Sequence, residues 1–375
     1  MAMSTQEEAA RAAGDPKYQK QVAEAIDRTV KRIAERKEPP VAVDVATDRW
    51  IIFSDLHKGI GDTVDDFRRN ERAYNAALAY YHRLGYRLVV LGDVEELWKE
   101  RPGPVIERYQ RTLELEAKFH KAGRYCRIWG NHDDLWRHDG SVQRRLKPIF
   151  GEGLNVLEGL YLEVREGGDP LGRILLIHGH QGTSDADPDR IGPWAKFVVR
   201  WIWRPVQRIT KLSFNTPAKD WALRHRHSVA MYRWAAAQRP PLVLVAGHTH
   251  QPVFRSKSLE QQKLELAQAK QDELSLEQDP VQRAALEEEL ASLEAWVEWA
   301  RAGGRGQKGA APPVGMDLPC YFNTGCCCFT DGDVTGLEIA GGEIRLVRWP
   351  RDDGSPGPET LAATPVREVF AALGA

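Results

Sequence analysis

Aspartate and histidine stand directly behind short apolar runs in this chain, five times in succession. Trp50-Ile51-Ile52-Phe53-Ser54 is followed by Asp55 and His57, and Leu88-Val89-Val90-Leu91-Gly92 by Asp93. Tyr125-Cys126-Arg127-Ile128-Trp129-Gly130 leads to Asn131, His132 and Asp133. Ile174-Leu175-Leu176-Ile177 leads to His178, with His180 two residues on, and Leu242-Val243-Leu244-Val245-Ala246-Gly247 leads to His248 and His250. Carboxylate, amide and imidazole groups together suit divalent ions such as Mn²⁺, Mg²⁺ or Fe²⁺. A carboxylate has two oxygens and can bridge two ions; Asp93, between the first pair and the later ligands in order, is the candidate bridge. Two ions ~3.5–4 Å apart generate hydroxide at neutral pH and clamp a phosphoryl group for in-line displacement. That chemistry requires no nucleophilic Ser or Cys motif, and none stands out.

The runs themselves read as buried strands. Continuous Val/Ile/Leu segments are the signature of α/β sheets, whose ligands gather at the carboxyl ends of the strands. Between the first two runs, Asp66 to Leu84 reads as a helix stopped by Gly85; between the second and third, Pro104 to Lys121 does the same before Gly123. This alternation predicts a largely parallel sheet, or two such sheets face to face.

Of 375 residues, 52 are Lys or Arg and 53 Asp or Glu, so bulk charge selects no partner. The longest apolar stretches are strand-length, far short of the ~20 residues that span a bilayer. The polar, acidic start from Met1 to Glu8 lacks the pattern of a secretory signal. Cys126, Cys320 and the run Cys326-Cys327-Cys328 contain no CxxC pair and support neither a disulfide framework nor a cysteine zinc site. The triple Cys is expected to pack as small apolar residues on a strand. A cytoplasmic location follows as an expectation.

Residues 1–48 read as a polar helical extension with Ala23, Ile26, Val30 and Ile33 on one face, ended by Pro39-Pro40. Residues 181–240 form a basic, Trp-rich insertion. From Arg190 to Arg239 it holds eleven Lys or Arg against one acid, Asp220, and five of the twelve tryptophans, Trp194, Trp201, Trp203, Trp221 and Trp234. Arg grips phosphate and Trp settles at a polar–apolar boundary, so this segment is read as a helical lid for an anionic lipid surface or a large anionic substrate. A second insertion, 257–313, reads as an acidic helical hairpin broken at Asp279-Pro280, with Leu286, Leu290, Leu293 and Val297 on one face. Val334–Ile339 and Glu343–Trp349 look like closing strands, and 351–375 like a tail.

Asp55-x-His57, Gly92-Asp93, Gly130-Asn131-His132-Asp133, His178 and Gly247-His248-Thr249-His250, in that order, resemble the signature of the calcineurin-like metallophosphoesterases. The resemblance covers roughly residues 48–255 plus Asn323-Thr324-Gly325. It implies a four-layer α/β/β/α sandwich over 49–350 and two divalent ions, manganese first, with Fe, Mg or Zn as other candidates. One ion would be held by Asp55, His57, Asp93 and His250, the other by Asp93, Asn131, His178 and His248. His132 would contact the scissile phosphate and assist the leaving group, oriented by Asp133. His180 is a candidate behind the ligands, and Lys58 and Arg137 are candidates to touch phosphate. Asp62, Asp65 and Asp66 read as loop and cap residues.

Gly92-Asp93-Val94-Glu95-Glu96-Leu97-Trp98 and Gly247-His248-Thr249-His250-Gln251-Pro252 look most like the branch that contains UDP-2,3-diacylglucosamine pyrophosphohydrolase of lipid A synthesis, which also carries a basic helical lid. His132 stands where that branch usually has Arg, and the hairpin has no counterpart there. The expected function is hydrolysis of a phosphodiester or pyrophosphate, on a lipid- or nucleotide-linked substrate, with peripheral contact to the inner face of an anionic membrane through the lid. The rivals are a phosphomonoesterase or protein phosphatase, and a non-catalytic scaffold of the same fold binding a membrane or protein. Single-stranded nucleic acid is a further partner that Arg and Trp would suit.

Overall fold

A computed structural model of the chain describes residues 15–36, 39–183, 221–302, 316–351 and 357–374. The first helix, α1 (Pro16–Glu35), starts where the Asp15 carboxylate accepts the N–H groups of Lys17 and Tyr18, with proline at the first helical position. After it come β1 (Val41–Asp44), β2 (Arg49–Phe53), α2 (Glu71–Arg83), β3 (Arg87–Leu91), α3 (Gln110–Lys121), β4 (Tyr125–Ile128) and β5 (Val156–Leu157). The chain continues through β6 (Gly159–Glu166), β7 (Asp169–Ile177), α4 (Trp221–Ala236), β8 (Leu242–Ala246), β9 (Pro252–Phe254) and β10 (Lys257–Ser258). Helices α5 (Leu259–Leu276) and α6 (Pro280–Ala302) pack on each other, and β11 (Tyr321–Thr324), β12 (Val334–Ala340), β13 (Glu343–Trp349), β14 (Glu359–Pro365) and α7 (Val366–Leu373) close the fold.

Two mixed sheets result, ordered β1-β6-β7-β8-β11-β9-β10 and β14-β13-β12-β2-β3-β4-β5. Between them lies one core, in which Ile52, Val89, Leu91 and Leu337 of the second sheet meet Leu162, Leu176, Val243 and Val245 of the first. Tyr74, Leu78 and Tyr81 of α2 and Leu113 and Ala117 of α3 cover the outer face of the second sheet. Tyr18, Val22 and Ile26 of α1 and Met231, Trp234 and Ala235 of α4 cover the outer face of the first. This is the α/β/β/α sandwich. Strands buried on both faces explain why β2, β3, β7 and β8 read as unbroken apolar runs.

Three boundaries differ from the sequence reading. Val41–Asp44, placed in the lead-in, is an edge strand parallel to β6. The end of the basic insertion, Trp221–Ala236, belongs to the outer helical layer, where Trp234 is buried and its Nε1–H donates to Asp27. The remainder of that insertion, 184–220, lies outside the described residues. The supposed tail instead carries β14, which pairs with β13, and α7, whose Val366, Val369 and Phe370 recur at helical spacing and fill the core between the sheets.

Candidate metal centre

β2, β3 and β4 of one sheet and β7 and β8 of the other end at a common edge. The loops after β2 and β3 remain hydrogen-bonded past the strands: Asp55 N–H donates to the Gly92 carbonyl (3.1 Å), His57 N–H to Asp93 (2.9 Å) and Lys58 N–H to Val94 (3.0 Å). That register sets Asp55, His57 and Asp93 beside one another. Gly247 N–H donates to the His178 carbonyl (2.8 Å), joining the ends of β7 and β8. At Gly247 the sheets touch, and a Cβ there would meet the Ser54 hydroxyl at 2.4 Å.

Asp55, His57, Asp93, His248 and His250 all have positive φ, between 51° and 66°. Such backbone costs roughly 1–3 kcal/mol per residue unless the surroundings impose it, and it clusters at functional sites. Here the sharp turns fold the ligand side chains back over the strand ends.

Each carboxylate is divided. Asp55 Oδ2 accepts the His248 N–H (2.9 Å) and the Ser54 hydroxyl, while Oδ1 is buried without a hydrogen-bond partner. Asp93 Oδ1 accepts the His132 N–H (2.8 Å), and Oδ2 lies 3.2 Å from His178 Nε2 and 3.7 Å from His57 Nε2. His250 Nε2 is 3.3 Å from Asp55 Oδ1 and 3.1 Å from His57 Nε2. His178 donates Nδ1–H to the Leu91 carbonyl (2.8 Å), which fixes the tautomer and leaves Nε2 as a donor atom for a metal. Both polar atoms of the Asn131 amide and His178 Nε2 are also buried and without a hydrogen-bond partner. Buried polar atoms are normally satisfied, so several orphans on one cluster fit a set of side chains that would hold a cation.

Among the described residues four groups of three could hold an ion: Asp55/His57/Asp93 and Asp93/His178/His248, which share Asp93, and His57/Glu96/His132 and His57/His250/Cys328, which share His57. The electrostatics agree. Burial raises a carboxyl, yet His250 and His178 hold Asp55 below its usual range, and His178 and His132 hold Asp93 well below it. Burial lowers the His178 imidazole, but Asp93 and Asp55 outweigh it and carry it to about 9. Burial and the neighbouring His178 keep His248 well below its ordinary value, so it presents a neutral imidazole.

His132 stands at the edge of the cluster, stacked on Trp98 at 4.6 Å, with its Nδ1 2.8 Å from Glu96 Oε1. The carboxylate beside the His132 ring is therefore Glu96, not Asp133. Asp133 points inward, accepting the N–H groups of Gly130 (2.6 Å) and Val94 (3.0 Å) beside Arg127. It braces the loops rather than the imidazole. Glu96 also lies 3.6 Å from His57 Nδ1, and His132 and Lys99 outweigh its burial to keep it ionised. Spacing alone gives no signal to separate Glu96 from Glu95, which turns inward onto the fully buried Arg127.

Lys58 does not reach a phosphate site: it is fully buried and paired with Glu116 at 2.6 Å. Arg137 is exposed on a short turn. Asp65 caps the short turn Asp66–Arg69 in the loop after β2, accepting the Gly61 and Phe67 N–H groups, and Asp62 accepts from Val64. His180 is buried beside Trp129 and His178, with Nδ1 unpaired. His227, unremarked in the sequence, donates Nε2–H to the Gly179 carbonyl (2.5 Å) and accepts the Tyr18 hydroxyl at Nδ1 (2.8 Å), so α1 braces the loop that carries His178 and His180. Asn323 donates to the Gly247 carbonyl (2.6 Å), supporting the last motif from β11. The cysteine run is a loop after β11 rather than a strand. Cys326 and Cys327 are buried, Cys327 within the core under the second sheet, while Cys328 is half-buried against His250.

A sequence model of the calcineurin-like phosphoesterase family matches residues 49–252, more than half of the chain. No curated protein matches it.

Proposed function

Because the chain belongs to the calcineurin-like phosphoesterases, a family of hydrolases that bind divalent metals, we propose that it hydrolyses a phosphodiester or pyrophosphate bond at a dinuclear centre formed by Asp55, His57, Asp93, Asn131, His178, His248 and His250. The observation that carries this reading is the pair of buried ligand groups sharing Asp93, with a half-buried His132 at their edge. Divalent ions at such a centre activate water and neutralise charge on a phosphoryl group. Asp55 and Asp93 orient one oxygen each by anchoring the other to a backbone N–H. The Asn131 amide, free of protein partners, adds a donor toward phosphoryl oxygen. His132 gives a proton from Nε2 to the leaving oxygen, and Glu96 holds the ring by Nδ1 and balances its charge.

The substrate reading rests on the resemblance to the UDP-diacylglucosamine hydrolase branch and on the charge of the basic insertion, which suits an anionic lipid- or nucleotide-linked substrate and an anionic membrane surface. Among the described residues no helix is long and apolar enough to cross a membrane. The test is to strip metal, restore Mn²⁺, and compare bis-p-nitrophenyl phosphate with p-nitrophenyl phosphate. Diester preference supports the reading and leads to UDP-diacylglucosamine. Monoester preference transfers the site to a phosphatase, and turnover of neither substrate, nor of UDP-diacylglucosamine, leaves a non-catalytic scaffold.

A further inference from the structure

The imidazoles at the centre follow a pattern. The second ring nitrogen of His178 meets a backbone carbonyl, that of His57 faces the Glu96 carboxylate, and that of His250 meets sulfur: Cys328 Sγ lies 3.5 Å from His250 Nδ1. The sulfur is placed by backbone. Cys327 N–H donates to the carbonyls of Ser54 (3.1 Å) and Asp55 (3.2 Å), and Cys326 N–H to the Thr335 hydroxyl (3.2 Å), which lays the run along the end of β2. Cys327 then turns into the core, and Cys326 and Cys328 turn to the His250 ring. On the other side of that ring, Nε2 faces the buried, unpartnered Asp55 Oδ1.

We propose that Cys328 is a positioning residue for the metal centre: its sulfur accepts the His250 Nδ1–H, presents Nε2 to the ion beside Asp55, and makes occupancy of that position sensitive to modification of the thiol. The inference rests on the reading that Asp55, His57, Asp93 and His250 hold a divalent ion. Metal-bound histidines generally use their second nitrogen in this way, and loss of the acceptor typically costs about 10–100-fold in affinity. A carbonyl or a buried carboxylate is chemically inert, whereas a half-buried thiol is not. Alkylation by iodoacetamide forms a carbon–sulfur bond and expels iodide, with the thiol proton passing to solvent. The added group then occupies the space between the sulfur and the ring.

The experiment titrates Co²⁺ into the metal-free full-length chain and follows the visible d–d bands, for the wild type, Cys328→Ser, Cys328→Ala and Cys326→Ser. Serine restores an acceptor, so Cys328→Ser and Cys326→Ser should bind within a few-fold of wild type. Cys328→Ala should bind about tenfold or more weakly. Iodoacetamide on the folded wild type, with the adduct mapped to Cys328, should give the same loss, and this arm stands even where Cys328→Ala fails to fold. Unchanged affinity in both the Ala variant and the alkylated protein overturns the assignment. So does a sulfur-to-cobalt charge-transfer band that Cys328→Ser abolishes, because the sulfur would then be a ligand. Absence of Co²⁺ binding by the wild type fails the metal reading itself, a result distinct from binding that ignores Cys328.

Discussion

Glu96 Oε1 and His132 Nδ1 lie 2.8 Å apart, so the imidazole at the edge of the Asp/His cluster is held by one nitrogen and turns Nε2 away from that carboxylate. The carboxylate that does this comes from the loop after β3, three residues beyond Asp93. Glu96→Gln keeps the shape and removes the charge. Its kcat should fall about 10–100-fold with KM changed far less, as for a residue acting on a general acid. A kcat within twofold of wild type would remove Glu96 from the reaction.

His132 and Asp93 should separate turnover from metal. His132→Ala should retain its ions and lose about 10²–10⁴ in kcat, the usual contribution of a general acid. Asp93→Asn should lose metal, because the oxygen facing His178 and His57 would become part of a neutral amide. Metal content by elemental analysis beside steady-state rates decides both. Full activity in His132→Ala would exclude the role assigned to it.

The metal-free protein should lose stability as the solution becomes alkaline. Burial lowers the imidazoles, but the aspartates outweigh it, so His178 titrates at about 9 and His250 at about 10 when folded. The unfolded value is about 6.5. A raised folded pKa gives stability that is complete below the unfolded value and is lost as pH rises through the folded one. Melting temperature after chelation should therefore fall from pH 6.5 to pH 10. Bound cations replace these protons, so saturating Mn²⁺ should flatten the slope. A flat profile in the metal-free protein would contradict the pairing.

Gly92 has φ +82° and a Cβ there would lie 2.4 Å from His178 Nδ1, whereas Gly85 has φ +81° with nothing within 4 Å. Gly85→Ala should cost about 1–2 kcal/mol, the backbone term alone. Gly92→Ala should cost about 2–4 kcal/mol, since steric strain is added, and should also weaken metal binding. Denaturant unfolding of the pair, with equal losses, would show that the His178 contact yields freely.

Lys58 and Glu116 form a fully buried pair under the first ligand loop. Lys58→Met should destabilise by about 3–5 kcal/mol by stranding the carboxylate, and Lys58→Met with Glu116→Gln should recover most of it. KM for a diester should not change. A selective rise in KM at unchanged stability would return Lys58 to the substrate.

The lipid A branch and the metal preference come from the motifs and donor types, and the membrane partner from the charge of the basic insertion. The gathering of Asp55, His57, Asp93, His178, His248 and His250 at one edge was legible because a strand end presents its next residue at the sheet edge whatever surrounds it. His132 was legible on the same ground. Its partner was not: Glu95 and Glu96 are adjacent and identical in type, and alternation across the loop sends one to Arg127 and the other to His132. Lys58 and Cys328 were misread in opposite directions, for a like reason. A lysine reads as surface charge until a buried acid is found beside it, and a cysteine reads as core until its loop is seen against His250. The tail was missed because Glu359–Pro365 has little apolar alternation and becomes a strand by pairing with β13.

The sequence by itself determined the α/β class, the strands that carry the ligands and the donor types, because apolar periodicity and motif order are local properties of the chain. Tertiary structure alone decided which oxygen of each carboxylate is free, which acid holds His132, and that α1, β14 and α7 belong to the core. Those outcomes depend on contacts between segments up to hundreds of residues apart, where burial and hydrogen-bond satisfaction act between partners that no local pattern identifies.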